Sequence, residues 1–145
     1  MRLVVDANIV FSSLLRSDGA VGDIFFNSHP PLKMFAPELL REEVMEHRDK
    51  LVKLSKQQPS VVDALERLTM NSITFLNEAL ISTVSRAKAE ELMSGLDQDD
   101  TIYVALAIQL NVPLWTGDKR LSKGLGKKGF TQIVDTATLR TLLAK

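Results

Sequence analysis

The sequence predicts an α/β domain with a mostly parallel β-sheet that is covered by helices on both faces. Short runs of apolar and β-branched residues alternate along the chain with longer segments of helical periodicity, as is typical of such domains. The runs are continuously apolar, as expected of strands that are buried on both faces. The chain has 145 residues and shows no linker or repeat, so residues 1–145 are expected to form one domain.

The apolar runs define the predicted strands, and turn residues or helical periodicity follow each of them. Strands are predicted at residues 3–5, 32–36, 73–76, 112–116 and 133–134. Helices at residues 9–15 and 20–27, and a break at residues 29–31, separate the first two strands. Pro37 can then serve as a first helical residue, because its missing N–H is not needed there.

The remaining helices are marked by apolar faces and by residues that typically begin or end a helix. They are predicted at residues 38–54, 61–70, 84–93, 97–110 and 135–144. Gly95 and Asn111 are expected to end two of them, because both residue types adopt the left-handed conformation that follows many helices. Either Asp135 or Thr136 is expected to cap the last helix.

The composition excludes several classes of protein. The chain has 18 basic and 18 acidic residues, so any binding of nucleic acid must depend on charge that is separated locally. It has no cysteine, which excludes disulfides, thiolate zinc sites and thiol nucleophiles. No stretch reaches the roughly 18 apolar residues of a membrane span, and the N-terminus does not resemble a signal peptide. We therefore expect a soluble, cytoplasmic protein with no membrane partner.

Acidic residues follow two of the predicted strands, at the edge where open α/β sheets bind their ligands. Asp6 ends the first strand, and Asp118 follows the fourth. Aspartate is also common as a helix cap, so each residue could have that structural role instead.

Further acids lie on two predicted helices. Asp97 and Asp100 open the most apolar helix and share one of its faces, so they are expected to lie near a site, whereas Asp99 is expected to be solvated. The alternative is that these acids only stabilise the helix dipole. On the helix at 38–54, Glu43 borders the apolar side, and the adjacent Glu42 is its rival as the site glutamate.

The candidate site is therefore a cluster of carboxylates. Its members are Asp6, Glu43, Asp100 and Asp118, with Asp97 beside them. Converging carboxylates repel one another unless a cation lies among them, and Mg²⁺ prefers oxygen ligands. Such a site can activate water and stabilise an in-line displacement at a phosphodiester. The chain offers no glycine-rich phosphate loop and no nucleophile elbow as competing chemistry.

The chain resembles PIN-domain nucleases along essentially its whole length. Residues 3–9 look like that family's first motif, in which the Asp is a metal ligand, and residues 36–44 resemble the segment that carries its single Glu. Residues 97–107 resemble the third motif, an Asp before an alanine-rich apolar helix. Residues 114–119 resemble the fourth, a strand followed by Thr or Ser and then Asp.

This resemblance implies a three-layer α/β/α fold with a roughly five-stranded, mostly parallel sheet. It also implies Mg²⁺ or Mn²⁺ as cofactor and endonucleolytic cleavage of RNA. Asp6, Glu43, Asp100 and Asp118 would be catalytic, and Asp6, Asp97, Asp100 and Asp118 would hold the metal. Many members are toxins of toxin–antitoxin pairs and many form dimers, so a cognate antitoxin and a second copy of the chain are candidate partners.

Other residues are expected to support this site. Asn8 and Thr116 lie two residues from Asp6 and Asp118, so both could orient a carboxylate, although Asn8 could instead cap the first helix. A basic segment directly follows Asp118 and is expected to be a flexible, RNA-binding strip, or else only a solvated loop. Its basic residues are Lys119, Arg120, Lys123, Lys127 and Lys128.

Two apolar faces are either core or a dimer interface. They comprise Val10, Phe11, Leu14, Leu15, Val61, Val62, Leu65 and Leu68.

Three other functions remain to be weighed against the nuclease. A phospho-receiver domain would need paired acids after the first strand, and a haloacid-dehalogenase-like phosphatase would need an Asp where Asn8 stands. The third alternative is a PIN fold that has lost catalysis and binds RNA or protein.

Overall fold

The computed structural model describes residues 1–27 and 32–144, and within them a five-stranded, all-parallel sheet. Its strands are β1 (Arg2–Val5), β2 (Lys33–Pro37), β3 (Ile73–Leu76), β4 (Leu114–Trp115) and β5 (Ile133–Val134). They lie in the order β3-β2-β1-β4-β5. The predicted α/β fold with a parallel sheet is confirmed. The predicted break at residues 29–31 lies outside the described residues.

Helices connect the strands and cover both faces of the sheet. They are α1 (Ala7–Leu15), α2 (Ala20–Asn27), α3 (Leu39–Glu46), α4 (Arg48–Ser55), α5 (Pro59–Asn71), α6 (Thr83–Leu92), α7 (Thr101–Leu110), α8 (Lys119–Lys127) and α9 (Thr136–Leu143). Short 3₁₀ turns lie at Glu78–Leu80 and Gln98–Asp100. Among the described residues, no helix is both long and apolar enough to span a membrane.

The core is divided into two clusters by the sheet. Leu3 and Val5 point to one face and pack with residues of α1 to α5 and α9, whereas Val4 points to the other and packs with α6, α7 and α8. This alternation follows from the two-residue period of a strand. The result is the three-layer α/β/α arrangement, with α7 as the most deeply buried helix.

The order of the strands places a crevice beside β1. From β1 the chain extends through β2 to β3 on one side, and β4 and β5 lie on the other. Open α/β sheets bind their ligands at the carboxyl ends of the strands where the order reverses in this way. That point in this fold lies between the carboxyl ends of β1 and β4.

Two predictions about the first half of the chain are wrong. The helix predicted at residues 38–54 is two helices, because His47 leaves the helical conformation (φ −100°, ψ 9°) and its Nδ1 lies 2.8 Å from the carbonyl oxygen of Glu43. Pro37 is the last residue of β2 and not a first helical residue, because it pairs with Leu76 of β3.

Two predictions about the second half also need correction. The helix predicted at 97–110 begins with the 3₁₀ turn, and its α-helical part starts at Thr101. The basic segment after Asp118 is not a flexible strip but helix α8, which Leu121 and Leu125 anchor in the core.

Candidate functional site

Asp6 lies at the carboxyl end of β1, deep in the crevice. Its backbone N–H donates to the carbonyl oxygen of Trp115 at 3.3 Å, and its Oδ1 accepts from the N–H of Ile9 at 2.9 Å, which caps α1. Only 3% of the residue is exposed. Burial raises the pKa of Asp6. The side chain of Thr116 lowers this pKa, and the charge of Asp118 raises it.

Asp118 follows β4, the neighbouring strand. Its Oδ1 accepts from the N–H of Leu121 at 3.1 Å and caps α8, and its own N–H donates to Oγ1 of Thr116 at 3.1 Å. Thr116 is buried, and its side chain also lies close enough to Asp6 to lower the pKa of that carboxyl. This hydroxyl therefore connects the two aspartates, as expected of a residue that orients a carboxylate.

Asp100 comes to the same place from the beginning of α7. Its side chain makes no capping bond, whereas Asp97 accepts from the N–H of Asp99 at 3.0 Å. Burial, together with the nearby charges of Asp6, Asp97, Asp118 and Asp99, raises the pKa of Asp100 to about 6. Carboxylates from two strand ends and one helix start therefore repel one another.

A small cavity of about 130 Å³ opens at Asp97, Asp100 and Asp118, and Asp6 does not line it. We call it the aspartate cavity; its lining residues are Leu96, Asp97, Asp100, Asp118, Arg120 and Leu121. In the part of the chain that the structure describes, none of Asp6, Asp100 and Asp118 forms an ion pair.

Glu43 lies in a neighbouring groove rather than in the aspartate cavity. This acidic groove has a volume of about 800 Å³, and its acidic residues are Glu43, Glu46, Glu90 and Asp99. Glu43 is half-buried and accepts a hydrogen bond of 3.1 Å from the hydroxyl of Tyr103, whereas Glu42 is exposed. Burial raises the pKa of Glu43, although the hydroxyl of Tyr103 lowers it. Of the two glutamates, the structure brings Glu43 toward the site.

The aspartates have the chemistry of a site for a hard cation, but they are not arranged as ligands. Within residues 1–27 and 32–144, no group of three or more His, Cys, Asp or Glu side chains is positioned to hold a metal ion. Oxygen donors with a raised pKa and no paired cation are nevertheless the kind of group that Mg²⁺ or Mn²⁺ neutralises. The residues therefore fit such an ion in kind, and the aspartates would have to move together to become its ligands.

A model of the PIN domain matches residues 4–143. The chain belongs to the PIN-domain family. Comparison with curated protein sequences gives no significant match. The structure is similar to a chain of the crystal structure of VapBC2 from Rickettsia felis bound to a DNA fragment from their promoter. The TM-score is 0.63 at 10% sequence identity, and the match covers 93% of this chain and 97% of that chain. At that identity the similarity shows the fold alone.

Two residues near the acids of this PIN domain were not assigned there from the sequence. Tyr103 contacts Glu43, and Asp99 lines the acidic groove. Arg120, predicted as part of the RNA-binding strip after Asp118, lines the aspartate cavity. Tyr103 could have been found, because it is the chain's one tyrosine and follows Asp100 by three residues on the same helix face. Nothing in the sequence pattern distinguishes Asp99 from a solvated acid, and it is in fact exposed.

Asn8 contributes through its backbone. Its N–H lowers the pKa of Asp6, but its side chain is exposed and forms no hydrogen bond among the described residues. The alternative that Asn8 caps the first helix is wrong, because Asp6 itself is the cap.

The basic residues after Asp118 are exposed on or next to helix α8 of the PIN domain. Lys119, Lys123 and Lys127 are four residues apart and form one stripe along the helix. Lys128 is different, because its ammonium group donates to the carbonyl oxygens of Leu92 and Ser94 at the end of α6. Its charge is engaged within the fold, so it is the poorest candidate for binding a phosphate.

Proposed function

We propose that this PIN domain is a metal-dependent endoribonuclease in which Asp6, Asp100 and Asp118 hold Mg²⁺ or Mn²⁺, with Asp97 next to them. The observation that supports the proposal is the meeting of three aspartates without an ion-pair partner among the described residues, at the crevice beside β1. Such an ion would have to draw the carboxylates together, and when bound it would activate water and stabilise charge on the phosphodiester.

The residues of the chain would divide the remaining tasks. Thr116 would hold the side chain of Asp6 and the backbone of Asp118, and the N–H of Leu121 would hold the carboxylate of Asp118. Glu43, with a raised pKa at the edge of the acidic groove, is suited to take up a proton near the cleaved bond. The stripe of Lys119, Lys123 and Lys127, together with Arg120, would hold the RNA backbone.

The decisive experiment compares two aspartates that have the same structural role. Asp118 and Asp135 both cap a helix, but Asp135 is exposed at the start of α9 and belongs to neither cavity. We expect Asp118→Asn to abolish Mg²⁺- or Mn²⁺-dependent cleavage of RNA with the fold retained, and Asp135→Asn to leave it unchanged. Activity that survives Asp118→Asn, or that persists with excess chelator, would exclude this mechanism.

The alternative is a PIN fold that binds RNA or protein without cleaving it. One observation favours it, namely that the carboxylates are not arranged as ligands. RNA binding by the wild-type protein without cleavage at any Mg²⁺ or Mn²⁺ concentration would support this alternative.

We further propose that the protein is the toxin of a toxin–antitoxin pair and acts in the cytoplasm. Membership of the PIN family and the similarity in fold to a chain of a VapBC2 structure support this proposal. Expression of the wild-type chain should arrest growth, and co-expression of an adjacent small reading frame should restore it. Growth that is unaffected by the wild-type chain would contradict a toxin role.

We also propose that the chain forms a homodimer. Val10, Leu14 and Val62 are core residues, so only part of the two predicted apolar faces is available. Val61 and Leu68 on α5 are 44% and 56% exposed, and they are seven residues apart, which places them on one side of the helix. Light scattering that gives a monomer mass at all concentrations would contradict a dimer through this face.

A further inference from the structure

A buried phenol on the helix that follows Asp100 holds the glutamate of the acidic groove. Tyr103 lies on α7, one turn after Asp100, and is only 2% exposed. Its hydroxyl donates to Oε1 of Glu43 at 3.1 Å, although 60 residues separate the two in the chain. The bond therefore joins α7, which begins directly after Asp100, to α3, which bears Glu43.

The surroundings of Tyr103 keep it in the protonated, donating form. Burial raises its pKa well above the ordinary value, and the charges of Glu43, Asp6 and Asp100 raise it further. The phenol thus interacts with the glutamate of the groove and with aspartates at the crevice. A neutral donor among carboxylates is suited to holding one of them by a charge-assisted hydrogen bond.

No other donor fixes the carboxylate of Glu43 among the residues that the structure describes. Its side chain forms no ion pair, and Tyr103 supplies its one side-chain hydrogen bond. A half-buried glutamate on a surface helix would otherwise have several side-chain rotamers. Loss of the hydroxyl would release the carboxylate without removing any charge.

We infer that Tyr103 is a positioning residue, whose hydroxyl fixes the carboxylate of Glu43 in the acidic groove. The expected effect on catalysis rests on the proposed nuclease function, whereas the contact between Tyr103 and Glu43 does not. The effect on catalysis and the contact are therefore tested separately.

The first test is kinetic and uses Tyr103→Phe, which removes only the hydroxyl. We expect kcat for RNA cleavage to fall by about 10- to 100-fold with KM nearly unchanged, as for other residues that orient an active carboxylate. In a Glu43→Gln background the same change should have little further effect. The matched control is Thr69→Val, which removes a buried hydroxyl that has no partner in the described structure. An unchanged kcat in Tyr103→Phe, or the same loss in Thr69→Val, would overturn the inference.

The second test needs no activity and is made on the metal-free protein. Tyr103 is the one tyrosine of the chain, so incorporation of fluorotyrosine gives a single ¹⁹F resonance that reports on this site. Glu43→Gln should shift that resonance, whereas Glu42→Gln, which changes the adjacent exposed glutamate, should not. Equal effects of the two variants would overturn the inference. If the wild-type protein cleaves no RNA, the nuclease proposal fails and the fluorine resonance still decides whether Tyr103 holds Glu43.

Discussion

Asp6 and Asp118 follow neighbouring parallel strands, and each caps the helix that begins directly after it. Each uses its Oδ1, which accepts from the N–H of Ile9 at 2.9 Å in one case and of Leu121 at 3.1 Å in the other. The sequence leaves capping and a role in the site as alternatives for both residues. The two roles are compatible, because the capping contacts engage Oδ1 of each carboxylate while both residues remain at the crevice.

This double role predicts different effects of two substitutions at Asp6. Asp6→Asn keeps an oxygen that can cap α1, whereas Asp6→Ala removes the cap. In metal-free protein we expect the free energy of unfolding of Asp6→Ala to be lower than that of Asp6→Asn by about 1 kcal/mol. Urea unfolding monitored by circular dichroism measures the difference. Equal stability of the two variants would show that the cap contributes nothing.

The raised pKa of Asp100 predicts how stability depends on pH. Its value is about 6 in the folded protein against 3.8 ordinarily, so between these values the folded state binds the proton more readily than the unfolded state does. The free energy of unfolding of metal-free protein should therefore fall as pH rises from about 4 to about 6. Above that range the charged carboxylate remains destabilising.

Asp100→Asn tests this effect, because the Asp100 side chain makes no capping bond that would be lost. At pH 7 the variant should be more stable than metal-free wild type by about 1 to 2 kcal/mol, after allowance for partial exposure to solvent. At pH 4 the two should be alike. Urea unfolding with chelator from pH 4 to 8 gives both curves, and parallel curves would contradict the prediction.

The sheet and the placement of the aspartates could be predicted because local signals and topology agree. Continuous apolar runs identify buried strands, and the carboxyl ends of parallel strands share one edge of the sheet. The break at His47 could not be predicted, since Leu40, Val44 and Leu51 continue one apolar face across it. A tertiary contact accompanies the break: the ring of His47 packs on Phe11 with 5.5 Å between centroids.

The prediction of a flexible strip where helix α8 lies was wrong for a different reason. Its glycines suggested flexibility, yet Leu121 and Leu125 are four residues apart and bury one face of the helix. Gly124 serves close packing, because a Cβ there would lie 2.6 Å from a methyl group of Leu96. Glycine alone therefore could not distinguish a mobile loop from a helix that packs closely against its neighbour.

Helix α8 also predicts which lysines bind RNA. Lys123 and Lys127 lie on the exposed stripe, whereas the ammonium group of Lys128 is bonded to backbone carbonyls. Changing Lys123 and Lys127 together to Ala should weaken RNA binding for all sequences and flatten the log–log salt dependence by about 1 to 2 units. Lys128→Ala should leave the salt dependence unchanged and lower the thermal midpoint. If the salt dependence were unchanged in the double variant and flattened in Lys128→Ala, the RNA would bind to another surface.

A buried hydroxyl on α5 predicts a stabilising substitution. Thr69 is fully buried, and its Oγ1 has no hydrogen-bond partner in the described structure. A buried hydroxyl without a partner costs about 1 to 3 kcal/mol, and valine has nearly the same shape and a similar helix propensity. We therefore expect Thr69→Val to raise the free energy of unfolding by about 1 kcal/mol.

Thr141 on α9 is the matched control, because it is an exposed helical threonine whose hydroxyl donates to the carbonyl oxygen of Ala137 at 3.2 Å. Thr141→Val should leave stability unchanged or lower it slightly, since it removes a satisfied bond at the surface. Urea unfolding of both variants measures these changes in the free energy of unfolding. A loss of stability in Thr69→Val would contradict the prediction that the hydroxyl is without a partner.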